Sequence, residues 1–324
     1  MTRTIPALLA IAVAFAWPAA ASAAGPAAAA GKAPGAPSAA ACGKAPAGEM
    51  VAQRVEAVKP SRKEAGLYEG PVWVKDALYF SDFAFSQGFP SRIRRLSADG
   101  SVSTVTEDGG SNGLAVDANG DLVVASHKDK ALLRQSLKDG KRTPIAQRFN
   151  GQVFNSPNDI AMAADGTIYF TDPDYQKAAA PGGQPVTGIY RVGTDGKVTL
   201  IDGTRHNPNG IALSLKEDVL YVNASDNEVR SYPLSGGDRL EGRRFARIDG
   251  GDGMTLDCHG NLYVTEHGAK RVRVFSPEGK ELAIIRVDAN VTNVAFGGAD
   301  GRTLFITGAG AVWRIGLDVT GRPY

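Results

Sequence analysis

After residue 50 the chain shows almost no helical spacing of apolar residues, and short apolar runs are instead punctuated by Gly, Asn and Asp. One phrase recurs: a polar residue, usually Gly, an aliphatic residue, a small residue, an apolar residue, a turn, then a second apolar run. The copies are EGPVWVKDALYFSD from Glu69, NGLAVDANGDLVVASH from Asn112, NDIAMAADGTIYFTD from Asn158, NGIALSLKEDVLYVNA from Asn209, DGMTLDCHGNLYVTEH from Asp252 and TNVAFGGADGRTLFITG from Thr292. Their starts lie 43, 46, 51, 43 and 40 residues apart. A third strand follows each hairpin (RIRRLSADG, GIYRVGTDG, EVRSYPL, RVRVFSPEG), and then a fourth (SVSTVT, KVTLID). Six such units predict an all-β chain, a six-bladed β-propeller with four-stranded blades. Neither a tryptophan-aspartate nor a kelch signature is present. The sixth copy runs out near Tyr324, so the stretch MVAQRVEAV at 50–58 is expected as a lone N-terminal strand that completes blade six and closes the ring. Ala115, Ala161, Ala212 and Ala295 share one repeat position, as the crowded axis of a propeller requires.

The first residue of each copy carries a side-chain oxygen: Glu69, Asn112, Asn158, Asn209, Asp252 and Thr292. In blades these residues would start the six inner strands at one height around the central channel. Asn or Asp before Gly is a common turn former, but six oxygen-bearing residues in register ask for a cation. Hard oxygen donors without Cys or His suit Ca²⁺ better than zinc, and the charges of Glu69 and Asp252 balance one divalent ion. Asp159, which stands where sister copies have Gly, is expected to lie behind the ligands. If the ring tops the first strands, the loops between second and third strands surround it. Those loops carry Asp82 and Phe83, His127, Asp172 and Tyr175, Asn223 and Asp226, and Glu266 and His267. Asn112, Asn158, Asp172, Tyr175, His127 and His267 are the candidate substrate contacts, the two histidines being acid–base candidates as well. The long loops at 83–91 and 174–188 are placed as a rim or lid, and His206 and His259 as surface turn residues.

Composition adds a compartment. Arg3, the apolar run IPALLAIAVAFAW and Ala21-Ser22-Ala23 form a secretory signal over 1–23, too short for a transmembrane helix. The mature protein is expected to be periplasmic or secreted, without membrane insertion after cleavage. Residues 24–48, nearly all Ala, Gly, Pro, Ser and Lys, read as a flexible linker before a propeller over 49–324. A net charge of +2 gives no reason to expect nucleic acid. The two cysteines, Cys42 and Cys258, would be free to pair in an oxidising compartment or to remain unrelated thiols.

The phrases EGPVW, SPNDI…GTIYFTDPDY, PNGIAL, GDGMTLD and TNVAFGG together resemble the gluconolactonase family that includes regucalcin and luciferin-regenerating enzyme, over residues 66–318. The resemblance implies a six-bladed propeller with a central divalent cation, Ca²⁺ or else Mg²⁺, Mn²⁺ or Zn²⁺, that opens a small sugar lactone such as glucono-1,5-lactone. It implies Glu69, Asn209 and Asp252 as metal ligands, Asn158 as a further ligand or substrate contact, and Asp252 as the catalytic acid–base. Some relatives have a substrate-binding Arg; Phe154-Asn155-Ser156-Pro157 offers none beside Asn158. Two alternatives stand beside lactone hydrolysis: an ester or phosphotriester hydrolase on the same metal, and a non-catalytic binding propeller stapled by calcium.

Overall fold

The computed structural model describes residues 42–237 and 240–322, so the expected signal peptide and most of the expected linker lie outside the described residues. Six antiparallel four-stranded units follow one another as the blades of a propeller. Their inner strands are Gly66–Val74, Ser111–Val116, Ile160–Met162, Ile211–Leu213, Gly251–Leu256 and Val291–Gly297. Each blade buries both faces against its neighbours, so the core is divided into six apolar clusters, one per blade junction. At the junction of blades six and one, Trp73 stacks on Phe305 with centroids 5.5 Å apart. The four repeat alanines do meet the axis: they line a central cavity of about 70 Å³, to which Arg322 also contributes. Among the described residues, no helix is long and apolar enough to cross a membrane.

Ring closure differs from the expectation. The N-terminal stretch is two strands serving two blades. Gly48–Val51 pairs in parallel with Glu281–Arg286 as a fifth strand of blade five. Gln53–Arg54 then pairs antiparallel with Val312–Gly316 and completes blade six. The Ala52 amide between them still bonds the Arg286 carbonyl at 3.0 Å, which fixes the point of transfer. The ion pairs Arg286–Glu49 and Arg54–Asp288 hold either side. A single strand over 50–58 could not satisfy both exposed edges; splitting it covers both.

The docked segment also begins earlier than residue 49. Cys42 is buried and forms a disulfide with Cys258, Cα atoms 5.8 Å apart. Gly43 bridges Val319, the Lys44 amide donates to Asp318 O, and His259 Nε2 donates to Gly43 O at 2.8 Å. His259 is therefore a clasp on this strap. The disulfide spans 216 residues of sequence, so its loss frees a long loop of unfolded chain and is expected to cost about 2–4 kcal/mol. Thermal melts of the protein and of Cys258→Ser, with and without reductant, check this: only the parent protein's midpoint should fall on reduction.

Candidate active site

The inner strand of every blade is irregular at the same place. In blades one, two, five and six the pairing slips between Glu69 and Val72, Ser111 and Leu114, Gly251 and Met254, and Val291 and Val294. In blade three the Asn158 amide bonds Thr171 O, and the Thr171 amide bonds Asp159 O; in blade four Asn209 and Gly210 share Asn223 in the same way. The ring residue and its successor thus oppose one residue of the second strand, which is the geometry of a β-bulge, a device that re-aims side chains beside active sites. The bulge is why strand-averse Asn and Asp open these strands.

A second set of residues, not foreseen from the sequence, pins the bulges from blade to blade. Ser81 Oγ donates to Asn112 O, Thr171 Oγ1 to Asn209 O, and Thr265 Oγ1 to Thr292 O, each at 2.6 Å. Asn223 Nδ2 donates to Asp252 O, and Thr292 Oγ1 donates to Tyr68 O of blade one; between blades two and three the tie is the Gly113 amide to Asn158 O. Thr292 therefore does not join the ring: its hydroxyl is spent on Tyr68 O and Thr307 Oγ1. Asn223, expected in a rim loop, is a buried strand residue. The signal for this set was the polar residue at one place in each second strand.

The next position along is glycine in four blades, Asp159 in blade three and Asn293 in blade six. Blades three and six face each other across a six-membered ring, and Asn293 Nδ2 meets Asp159 Oδ2 at 3.3 Å across the axis. A Cβ at Gly253 would fall 1.9 Å from the Asn293 carboxamide, so glycine there clears the space that this side chain fills; one at Gly113 would fall 2.3 Å from Asn158 O, so glycine there lets the backbone of the next blade approach. Asn293 also donates to the Glu69 carboxylate, so one amide bridges two acids. Asp159 does stand behind the ring, as expected, and Asn293 is its unforeseen partner.

Electrostatically the ring is loaded. Burial, then Asp252, then Asp159 raise the Glu69 carboxyl well above its ordinary range. Burial and then Asp159 do the same for Asp252, opposed by a hydrogen bond from Asn209. Burial pushes Asp159 up to about 6. Asn112 Oδ1 is buried with no hydrogen-bond partner. Among the described residues no three His, Cys, Asp or Glu side chains are grouped to hold a metal by themselves, so a cation here draws on the asparagine oxygens too. Crowded buried carboxylates beside a partnerless amide oxygen are a donor set that fits a hard cation.

One side of the ring is open. Asn209 and Asp252 are half-buried, whereas Glu69, Asn112 and Asn158 are buried. His267 Nδ1 lies 3.7 Å from Asp252 Oδ2. The same nitrogen donates to Val291 O at 2.6 Å, and Asn290 Nδ2 lies 3.3 Å from Nε2. The exposed ring of Tyr175 brings its hydroxyl 3.4 Å from Ser225 Oγ and to Asn209, in the field of Asp252. Burial, first, raises this phenol. Asp252, Asn209, His267 and Tyr175 therefore form one corner.

His127 and Asp172 lie elsewhere. His127 is buried among Phe83 and Phe89, and its Nε2 donates to Phe89 O at 2.8 Å; burial drops its pKa to about 4. It anchors the 83–91 loop as a neutral side chain. Asp172 accepts the Asn155 and Ser156 amides, each at 2.8 Å, and burial pushes it up to about 7. Buried Lys130 donates to Asn155 O at 2.6 Å and Lys177 O at 2.8 Å, while Asn155 Nδ2 donates to Val186 O at 2.8 Å. These bonds tie the segment before Asn158 to the 174–188 loop. Asp172 positions Asn158 through the backbone. Asp172→Asn turns an amide N–H toward a backbone donor and is expected to cost about 1–3 kcal/mol, read by denaturant melts, with a matching fall in whatever Asn158 binds.

The fold thus presents a bulged ring of oxygen donors with one open acidic corner on the propeller axis. The chain matches the family model of the SMP-30/Gluconolactonase/LRE-like region over residues 67–310 and belongs to that family. It is 30% identical over 281 residues to a gluconolactonase of Zymomonas mobilis, covering 76% of this chain and 77% of that one. It is 32% identical over 259 residues to a 6-deoxy-6-sulfogluconolactonase of Pseudomonas putida, covering 76% and 84%. A solved gluconolactonase of Xanthomonas campestris superposes with a TM-score of 0.70 at 29% identity, covering 85% of this chain and 99% of that one.

Proposed function

We propose that this protein is a divalent-cation-dependent lactonase that opens a small sugar lactone, an aldonolactone such as glucono-1,5-lactone, to its aldonic acid. The observation that carries the reading is the open corner of Asp252, Asn209, His267 and Tyr175 on a ring of uncompensated buried carboxylates. Glu69, Asn158, Asn209 and Asp252 would hold the cation, with Ca²⁺ the best match to an all-oxygen set. A bound cation would polarise the lactone carbonyl and stabilise charge on its oxygen. Asp252 would take a proton from the attacking water through the carboxylate oxygen that does not hold the cation. The acyl carbon–ring oxygen bond breaks as water's oxygen joins the carbonyl carbon, and the proton passes to the leaving ring oxygen. Tyr175 would orient sugar hydroxyls at the open side, beside the His267 ring that Val291 O and Asn290 hold against Asp252.

The lactonase and sulfogluconolactonase relatives support this chemistry. The Cys42–Cys258 disulfide supports an oxidising compartment, in keeping with export by the leader sequence. The test is hydrolysis of an aldonolactone panel by metal-stripped protein, followed with a pH indicator, before and after adding Ca²⁺, Mg²⁺, Mn²⁺ or Zn²⁺. Turnover restored by a cation is expected. A folded protein that binds a cation yet opens no lactone would sink the reading in favour of a binding propeller.

A further inference from the structure

We propose that Asn112 supplies a fifth protein oxygen to the cation and makes the site prefer a large ion of high coordination number; this rests on the metal-dependent reading above. Asn112 opens the inner strand of blade two at the repeat position held by Glu69, Asn158, Asn209 and Asp252 in their blades. It is 2% exposed, and its Oδ1 is a buried acceptor without a partner. An orphaned buried acceptor is costly unless something absent from the protein chain satisfies it.

The backbone around Asn112 leaves it no slack. Its carbonyl accepts from Ser81 Oγ at 2.6 Å, and Ser81 Oγ also meets Ser111 Oγ at 2.7 Å. Ser91 Oγ donates to Ser111 O at 2.8 Å. On the other side the Gly113 amide donates to Asn158 O at 2.6 Å, tying Asn112 directly to the next ring residue. Two serine hydroxyls and one amide hold the peptide units on both sides of Asn112, and Ser111 Oγ links the two serines. Such a scaffold positions an oxygen that must stay put; a turn-forming Asn would need none of it.

The sixth ring position points the same way. Thr292 has turned its hydroxyl into the Tyr68 carbonyl, so five ring residues keep a side-chain oxygen for the channel. Five protein oxygens plus water or a substrate carbonyl suit Ca²⁺, which takes six to eight ligands flexibly, better than Mg²⁺, which keeps several waters in a strict octahedron. Asn112 is the oxygen that separates the two.

The test is calorimetric titration of metal-stripped protein with CaCl₂ and with MgCl₂. Asn112→Ala is expected to weaken Ca²⁺ binding about tenfold or more and to change Mg²⁺ binding much less. Asn112→Asp, which keeps an oxygen in place, is expected to restore Ca²⁺ binding. Asn112→Gln, which keeps the amide but displaces it, is expected to behave as Ala does and decides the matter if the Ala variant does not fold. Wild-type Ca²⁺ affinity in the folded Ala or Gln variant overturns the assignment, and a raised KM for lactone would then mark Asn112 as a substrate contact. Wild-type protein that binds neither ion overturns the metal-dependent reading itself, and this assignment with it.

Discussion

Asp252→Asn is expected to reduce cation-supported lactone hydrolysis by about 10³-fold or more while leaving the metal-free protein folded and more stable than the parent. The two effects share one cause. Asp252 is half-buried beside Asp159 and in the field that also reaches Glu69, so its charge is costly to the empty site and valuable to the reaction. An amide at this position still fits between Asn209 and His267, and it removes a repelling charge. It cannot accept the proton of the attacking water, and it weakens the hold on a cation by one charge. Thermal melts of stripped protein and initial rates in saturating Ca²⁺ read the two effects separately. Full activity in the variant would remove Asp252 from the chemistry; a lower metal-free midpoint would mean that the carboxylate contributes stability, contrary to the electrostatics of the ring.

Much of this was legible before the fold was seen, and for a simple reason. A propeller repeats one hairpin, so residues equivalent in sequence become equivalent in space, and Glu69, Asn158, Asn209 and Asp252 could be placed on one ring by counting. The belonging of His267 and Tyr175 to the open corner followed from strand direction alone. What counting could not supply was the bulge. Two successive residues serve one rung there, so the second can carry a side chain of its own behind the ring. In blade six Asn293 does so, against Asp159, while Thr292 turns into the blade junction. Asn293 and Asp159 interrupt the glycine pattern in blades that face each other. That pairing was present in the sequence but gains meaning only once the ring is known to have six members.

The arrangement of the loops and of the N-terminus has a different origin. Asp172 and His127 sit in second-strand ends that do surround the site, but burial decides what a polar side chain does there. Buried polar groups must bond the nearest backbone, and both bond loop peptides. The N-terminal strap was divided between blades five and six because two open edges lay within reach of one segment, and hydrophobic pattern does not distinguish one edge from the other.

Metal-free protein is expected to lose stability as pH rises from about 4 to about 7, the reverse of an ordinary carboxylate-rich protein, and Ca²⁺ is expected to cancel most of the loss. The sign follows from the ring. Asp159 is held up to about 6 against an ordinary 3.8, and Glu69 and Asp252 are raised as well. An acid whose folded pKa is raised binds its proton more tightly in the native state, so its share of stability is complete below the unfolded pKa and is lost as pH climbs through the folded value. For Asp159 that share is about 3 kcal/mol, and Glu69 and Asp252 carry the loss to higher pH. A divalent cation reverses the sign because it binds the ionised ring, and at a hundredfold excess over Kd it returns about 3 kcal/mol. Asp172, pushed up to about 7, contributes in the same direction, but it stands behind the Asn155–Ser156 backbone and does not answer to the cation. Melts across this pH range with chelator and with Ca²⁺ therefore separate the two: the difference between the curves belongs to the ring and should widen as pH rises. A difference that stays constant with pH would mean that the ring carboxylates are already ionised at low pH, and that something other than the cation compensates them.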